Sequence, residues 1–357
     1  IGPETINCRC CEDTANRISD DSAGKKEEFW FCDKKKGFVP LVIEEIIKRR
    51  MRIVSMMKDK GSALLEARQQ SLKLLANSFY GYLGFFGARW YSIESARSVT
   101  AYGRYYIQKV IAKAGDAGFR VLYSDTDSVF LALGRKEKKE ALSFMENINL
   151  TLPGLMELEY EGFYPAGIFV SAKIGAHGAK KKYALVRDDG TIKIRGFETV
   201  RRNWSMIAKE TQEIVLNVIL KESNPKKALD LVKAVIRNLR EKKVEAEKVV
   251  MVTQLQKEIG DYDNIGPHVA AAQRMKTRGI PVGPGSIIKF IVVQGAGRIR
   301  DRIKLEEEYA HGEYDADYYI NNQVLPAVDK IFEVLGYSTE DILELKSQSK
   351  LDSFLRK

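Results

Sequence analysis

Two apolar runs, Val121-Leu122-Tyr123 and Val129-Phe130-Leu131, flank the pentapeptide Ser124-Asp125-Thr126-Asp127-Ser128. Short β-prone runs on either side of turn-forming residues read as a β-hairpin with an acidic tip. In an extended chain the spacing of Asp125 and Asp127 puts both carboxylates on one side. Carboxylates held that close repel, and a divalent cation relieves the cost. Hard oxygen donors of this kind suit Mg²⁺, which keeps waters and substrate phosphates in its shell. An ordinary turn would use the same Asp, Ser and Thr residues. A calcium EF-hand does not fit, because Val129 stands where a fifth-position ligand belongs and the sixth-position Gly is missing.

Upstream, Lys73, Asn77 and Tyr80 follow the spacing i, i+4, i+7. At about 100° per residue they fall within roughly 60° of one another on a helix and form one polar stripe. Leu72, Leu75 and Phe79 fall on the opposite side and are expected to pack. Gly81, directly after Tyr80, leaves room for close approach to the backbone. A lysine so placed can neutralise a triphosphate, and the tyrosine can lie under a base and sugar. A solvated helix face would carry the same pair of polar residues.

The remaining pattern is mixed. Helices are expected near 40–58 and 62–82, with a Gly-containing break between them that predicts an antiparallel pair. Another is expected near 94–117, closed by Gly118, and further ones near 204–221, 225–239, 244–258, 266–278 and 315–335. Strands are expected near 157–163, 167–172, 182–187 and 191–195, and a β segment from Pro284 to Val293. Residues 12–28 read as a polar loop. The expected fold class is α+β, sheet-bearing in the first half and helical in the second.

The chain has 357 residues, enough for two or three domains. Its 58 Lys+Arg against 48 Asp+Glu give a net charge of +10, which favours a polyanionic partner. No run approaches the roughly 18 apolar residues of a membrane span, so no membrane partner is expected. Without a signal peptide or an initiator Met, the chain reads as a processed piece or part of a longer reading frame, with the cytoplasm as the default location. The four cysteines, Cys8, Cys10, Cys11 and Cys32, do not match the usual zinc spacings. Free thiols, a disulfide and a metal site all stay open.

Taken together, Lys73-x-x-x-Asn77-Ser78-x-Tyr80-Gly81 and Tyr123-x-Asp125-Thr126-Asp127-Ser128 resemble the second and third polymerase motifs of family B DNA polymerases. The match is closest to archaeal replicative members. It continues through Leu158-Glu159-Tyr160-Glu161-Gly162-Phe163-Tyr164, Lys180-Lys181-Lys182-Tyr183, Arg195-Gly196, Arg201-Arg202-Asn203-Trp204-Ser205, Gly266-Pro267-His268-Val269-Ala270 and Tyr318-Tyr319-Ile320-x-x-Gln323-Val324-Leu325-Pro326.

The resemblance implies a right-hand architecture. Palm would occupy 1–39, with a polar insertion, and 86–176; fingers 40–85; thumb 177–347; and a clamp-binding tail 348–357. It implies DNA-directed addition of dNTPs to a primer 3′ end, with two Mg²⁺ ions. Asp127 would bridge both metals, Asp125 would contribute less directly, and Glu161 would lie close to the metal site. Lys73 would contact the triphosphate and donate a proton to departing pyrophosphate. Asn77 and Tyr80 would line the base-pair pocket, and Arg50 would bind phosphate. Lys181, Tyr183, Arg195 and Arg201 would hold primer–template DNA. Cys11 and Cys32 correspond to the family's paired cysteines, across a longer segment here.

Val54 stands where members often carry a second basic residue, so the phosphate grip would fall to Arg52 or Lys58. Asn203 replaces the usual aspartate. The family's first motif, Asp-x-x-Ser-Leu-Tyr-Pro-Ser-Ile, is not present in these 357 residues. A partner polypeptide or covalent remainder would have to supply it together with the N-terminal and exonuclease regions, and these residues alone are expected to be inactive. Gln348, Leu351, Phe354 and Leu355 resemble the peptide that docks on the sliding clamp. The rival class is a non-catalytic DNA-binding or scaffold subunit that kept the fold.

Overall fold

In the computed structural model, residues 1–343 are described apart from 23, 60, 172–177 and 202, and only the backbone is described at 58, 59, 171 and 178–181. The chain forms two compact units, one from Ile1 to Glu161 and the other from Gly162 onward. The expected palm–thumb limit at 176/177 lies between two paired strands of the second unit.

The first unit is organised by helices whose ends are written locally. Helix α1 (Phe38–Asp59) and helix α2 (Ala63–Gly84) form the expected pair. Ser62 caps α2 by accepting a hydrogen bond from the Leu65 amide at 3.2 Å. Leu65, Gln69, Leu72, Ala76, Phe79 and Leu83 are its buried or half-buried residues, at alternating helical spacings of four and three. Leu75 departs from the expectation. It sits about 60° off Leu72, at the edge of that stripe, and stays 48% exposed. Val39, Leu83 and Ala96 close a small core around the helix ends. Helix α3 (Ile93–Asp116) is capped by Ser92, and Gly118 ends it with a φ of +76° that favours glycine.

The polar stretch 12–28, expected to be a loop, contains a short hairpin of β1 (Ile18–Asp20) and β2 (Glu27–Phe29). Ile18 and Phe29 bury against Ala101 of α3. Asp20 goes with them, its side chain 0% exposed. Its Oδ2 accepts from Arg97 Nε at 2.7 Å and from Ser22 Oγ at 2.8 Å, and Arg104 bonds to Oδ1. Burial opposes the charge on Asp20, but the Ser22 hydroxyl and the Arg97 guanidinium together hold its carboxyl below the usual range. A carboxyl lowered on folding contributes stability that is complete above about pH 4 and is lost as the pH falls through the lowered value. Asp20→Asn should therefore destabilise the protein near neutral pH, with the gap to wild type closing in acid. Denaturant titrations at neutral and acidic pH check this; a pH-independent gap would rule out a charge effect.

After α3 comes the acidic hairpin of β3 (Arg120–Asp125) and β4 (Ser128–Ala132), where the apolar runs placed it. Helix α4 (Lys138–Asn149) follows and was not anticipated, although Glu140 caps it through the Glu137 amide at 2.8 Å. The strand expected at 157–163 does not form. There the backbone of Leu158 is satisfied by the Asn149 side chain, at 2.7 and 3.0 Å, rather than by a neighbouring strand.

The second unit pairs β5 (Ala166–Ser171), β6 (Gly178–Val186) and β7 (Ile192–Arg195) as one antiparallel sheet. Helices α5 (Met206–Glu222) and α6 (Pro225–Arg240) bury Val215, Leu216, Val232 and Leu239 in the main core. The helix expected over 244–258 is corrected to one turn, α7 (Ala246–Val249), followed by β8 (Met251–Gln254). A short apolar run such as Val249 to Val252 suits helix or strand equally, and pairing with the β9 strand (Ile287–Val292) decides it. Helix α8 (Pro267–Thr277) lies between these two strands in sequence, and β10 (Ile303–Leu305) adds a third to the sheet. The expected helix at 315–335 is α9 (Ala316–Tyr319), a wide π turn at Ile320–Val324, and α10 (Leu325–Val334). Pro326 cannot donate to the turn before it, which accounts for the widening. Helix α11 (Thr339–Leu343) ends the described residues. The clamp-like tail lies outside them. No described helix is long and apolar enough to cross a membrane.

Candidate functional site

At the tip of the β3–β4 hairpin, Asp125 pairs with Ser128, and Thr126 and Asp127 make the turn. The two aspartates therefore do not sit in one extended strand, and the simple same-side argument is replaced by a turn geometry. Asp125 is half-buried. Its Oδ1 accepts from the Thr126 amide at 2.9 Å and from Thr126 Oγ1 at 3.3 Å. Ser124 Oγ closes the hairpin by donating to the Ser128 carbonyl at 3.0 Å. Asp127 is exposed, and its carboxylate bonds to no described residue.

Glu161 is exposed at the end of the first unit. It does not join the two aspartates in a three-carboxylate set; among the described residues only the four cysteines gather that closely. Asp127 is a hard, charged oxygen donor open to solvent. It fits a cation such as Mg²⁺ that keeps water and phosphate ligands.

Helix α2 places Lys73, Asn77 and Tyr80 on the side away from Leu72 and Phe79. All three are exposed, Tyr80 at 49%, and none hydrogen-bonds to a described residue. A Cβ added at Gly81 would meet nothing within 4 Å, so internal packing does not demand the glycine. The polar stripe is free for an external ligand. Arg50 on α1 is half-buried and donates through Nε to Gln69 Oε1 of α2 at 3.3 Å, which ties the helix pair together. Val54 is half-buried and Arg52 exposed; the Lys58 side chain lies outside the described residues.

On the second unit, Tyr183 stands between Phe169 and Arg195 across the sheet, its ring 5.5 Å from that of Phe169. Arg195 and Arg201 are exposed, as is Asn203. The side chain of Lys181 lies outside the described residues. Lys182 is a half-buried structural residue. Its Nζ lies 2.8 Å from Glu198 Oε1 and 5.1 Å from the Phe197 ring centroid. Glu198 also accepts from Gln212 Nε2 at 2.8 Å.

Glu198→Ala should leave Lys182 charged with its partner gone and cost about 3–5 kcal/mol. Denaturant unfolding reads that loss, and a change under 1 kcal/mol would show that the pair is dispensable.

The first unit thus carries an exposed acidic hairpin and a helix pair with an open polar stripe, and the second unit a sheet with an exposed arginine on its outer strand. The chain is similar to the family B DNA polymerase of the hyperthermophilic archaeon Pyrobaculum calidifontis, with a TM-score of 0.68 and 30% identity over 95% of this chain and 43% of that one. The family model described as DNA polymerase family B matches residues 3–335, and the chain belongs to that family. The DNA polymerase of Thermococcus gorgonarius is 43% identical over 98% of this chain. That of Thermococcus kodakarensis is 46% identical over 76% of it. The chain spans 44% of the length of the Thermococcus gorgonarius protein, so it matches less than half of such relatives.

Proposed function

We propose that the chain is the palm remainder, fingers and thumb of a DNA-directed DNA polymerase. It would act with a polypeptide region that carries the first motif and the exonuclease. The reading is supported most by Lys73, Asn77 and Tyr80, exposed together and unbonded to any described residue on the second helix of the fingers pair. Their cation, amide and ring match the triphosphate, sugar and base of a dNTP.

Asp127, with Asp125 beside it, would hold Mg²⁺ opposite an acidic ligand from the first-motif region. The ions when bound would neutralise charge on the attacking and leaving oxygens. Lys73 would bind the triphosphate and hold a proton for departing pyrophosphate. Tyr80 and Asn77 would orient the nucleotide, and Arg50 would steady its phosphates. Lys181, Tyr183, Arg195 and Arg201 would grip the primer–template duplex through its backbone, positioning it without reading sequence.

The test is nucleotide addition to a primer–template by this chain, alone and mixed with a polypeptide bearing the first motif. Mg²⁺-dependent extension only in the mixture supports the proposal. DNA binding without extension in the mixture favours the scaffold reading. If the tail docks on a sliding clamp, Phe354→Ala should abolish clamp-stimulated synthesis and leave clamp-free synthesis intact; equal loss of both would defeat that assignment.

A further inference from the structure

The polymerase reading leaves the four cysteines unused. Cys8, Cys10 and Cys11 lie in and before a short turn at Arg9–Cys11, and Cys32 follows β2. Backbone bonds bring the two segments together. The Asn7 amide donates to the Trp30 carbonyl at 2.8 Å, and the Cys32 amide donates to the Thr5 carbonyl at 3.0 Å. Trp30 Nε1 donates to the Cys8 carbonyl at 3.0 Å. The result is that all four Sγ atoms lie within 4.8 Å of one another.

The spacing of these sulfurs discriminates between the possibilities. Cys10 and Cys11 are 3.7 Å apart, Cys10 and Cys32 3.6 Å, and Cys11 and Cys32 3.9 Å. A tetrahedral zinc ion with bonds of about 2.3 Å holds its thiolates roughly 3.8 Å apart. A disulfide needs about 2.05 Å, and all four cysteines are free thiols. A multi-iron cluster would spread its cysteines farther, because they bind different irons.

We propose that Cys8, Cys10, Cys11 and Cys32 form a mononuclear tetrathiolate site for zinc. Four thiolates select a soft or borderline cation over Mg²⁺ or Ca²⁺. With every tetrahedral position filled by protein, the site is structural rather than catalytic. It closes the base of the β1–β2 hairpin, which carries Asp20 to Arg97 and Arg104 and leads into α1. A zinc ion here would staple the N-terminal segment to that hairpin and to α3 beneath it. The site competes with the pairing of Cys11 and Cys32 that the family resemblance implies, because both sulfurs are zinc ligands in it.

The test uses the full chain, reduced and freed of metal, then titrated with Co²⁺ and Zn²⁺. Roughly one equivalent of Co²⁺ should bind and give the thiolate charge-transfer and visible bands of tetrahedral cobalt. Zinc should bleach them at one equivalent. Chains purified without added metal should carry zinc in the same ratio by elemental analysis. Cys10→Ser and Cys32→Ser each remove a thiolate ligand and should weaken zinc binding by more than the roughly 100-fold that loss of an outer-shell partner costs. The cobalt spectrum of the unaltered chain keeps the test valid if those variants misfold. A Cys11–Cys32 disulfide in non-reducing peptide maps of zinc-free protein, iron in place of zinc, or no stoichiometric uptake at micromolar metal would each overturn the proposal.

Discussion

Asp127→Asn, placed in a mixture competent for primer extension, should slow nucleotide addition by at least about 10³-fold, or about 4 kcal/mol of barrier. The substitution keeps the shape and one oxygen of the side chain and removes its charge. A hard divalent cation depends on that charge more than on the oxygen. Stability should not follow, because Asp127 is exposed and bonds to no described residue. Surface changes of this kind stay within about 0.5 kcal/mol.

Asp125→Asn is the informative contrast. An Asn there can still accept from the Thr126 amide, as Asp125 Oδ1 does at 2.9 Å. The turn should survive, and activity should fall less than for Asp127. Single-turnover extension at saturating Mg²⁺, alongside denaturant unfolding, separates the two effects. Asp127→Asn activity within tenfold of wild type would remove Asp127 from the metal site.

What could be read before the structure depended on the range of the forces involved. The end of α3 was legible because Gly118 acts on backbone groups within one turn, as the Ser62 and Ser92 caps found in the structure also do. The Lys73, Asn77 and Tyr80 stripe was legible because helical periodicity alone sets it. Misses came where a distant partner decided. Residues 157–163 lost their strand to the Asn149 side chain. Met251 to Gln254 joined a sheet because β9 was there to pair with. The pairing of Lys182 with Glu198, far from it in a linear reading, leaves no local signal. The cysteines were the extreme case. Cys10 and Cys32 are 22 residues apart, and only the β1–β2 hairpin, itself hidden in a polar stretch, brings them to 3.6 Å.

Lys73→Ala should lower kcat/KM for dNTP by about 10²–10³-fold while leaving primer–template affinity unchanged. An ammonium about 4 Å from a phosphate charge is worth up to about 4 kcal/mol near a protein surface, and solvent screening takes part of that. Lys73 is exposed and bonds to no described residue, so its removal costs the fold little. The variant Lys73→Arg then separates the two roles proposed for the side chain. Arginine keeps the charge, so KM for the nucleotide should return close to its original value. Its pKa above about 12 prevents it from giving up a proton, so kcat should stay low. Steady-state titration of dNTP for the three forms reads both quantities. Full recovery of kcat by arginine would show that Lys73 acts as a charge alone. Equal loss of DNA affinity in Lys73→Ala would move the lysine from the nucleotide to the duplex.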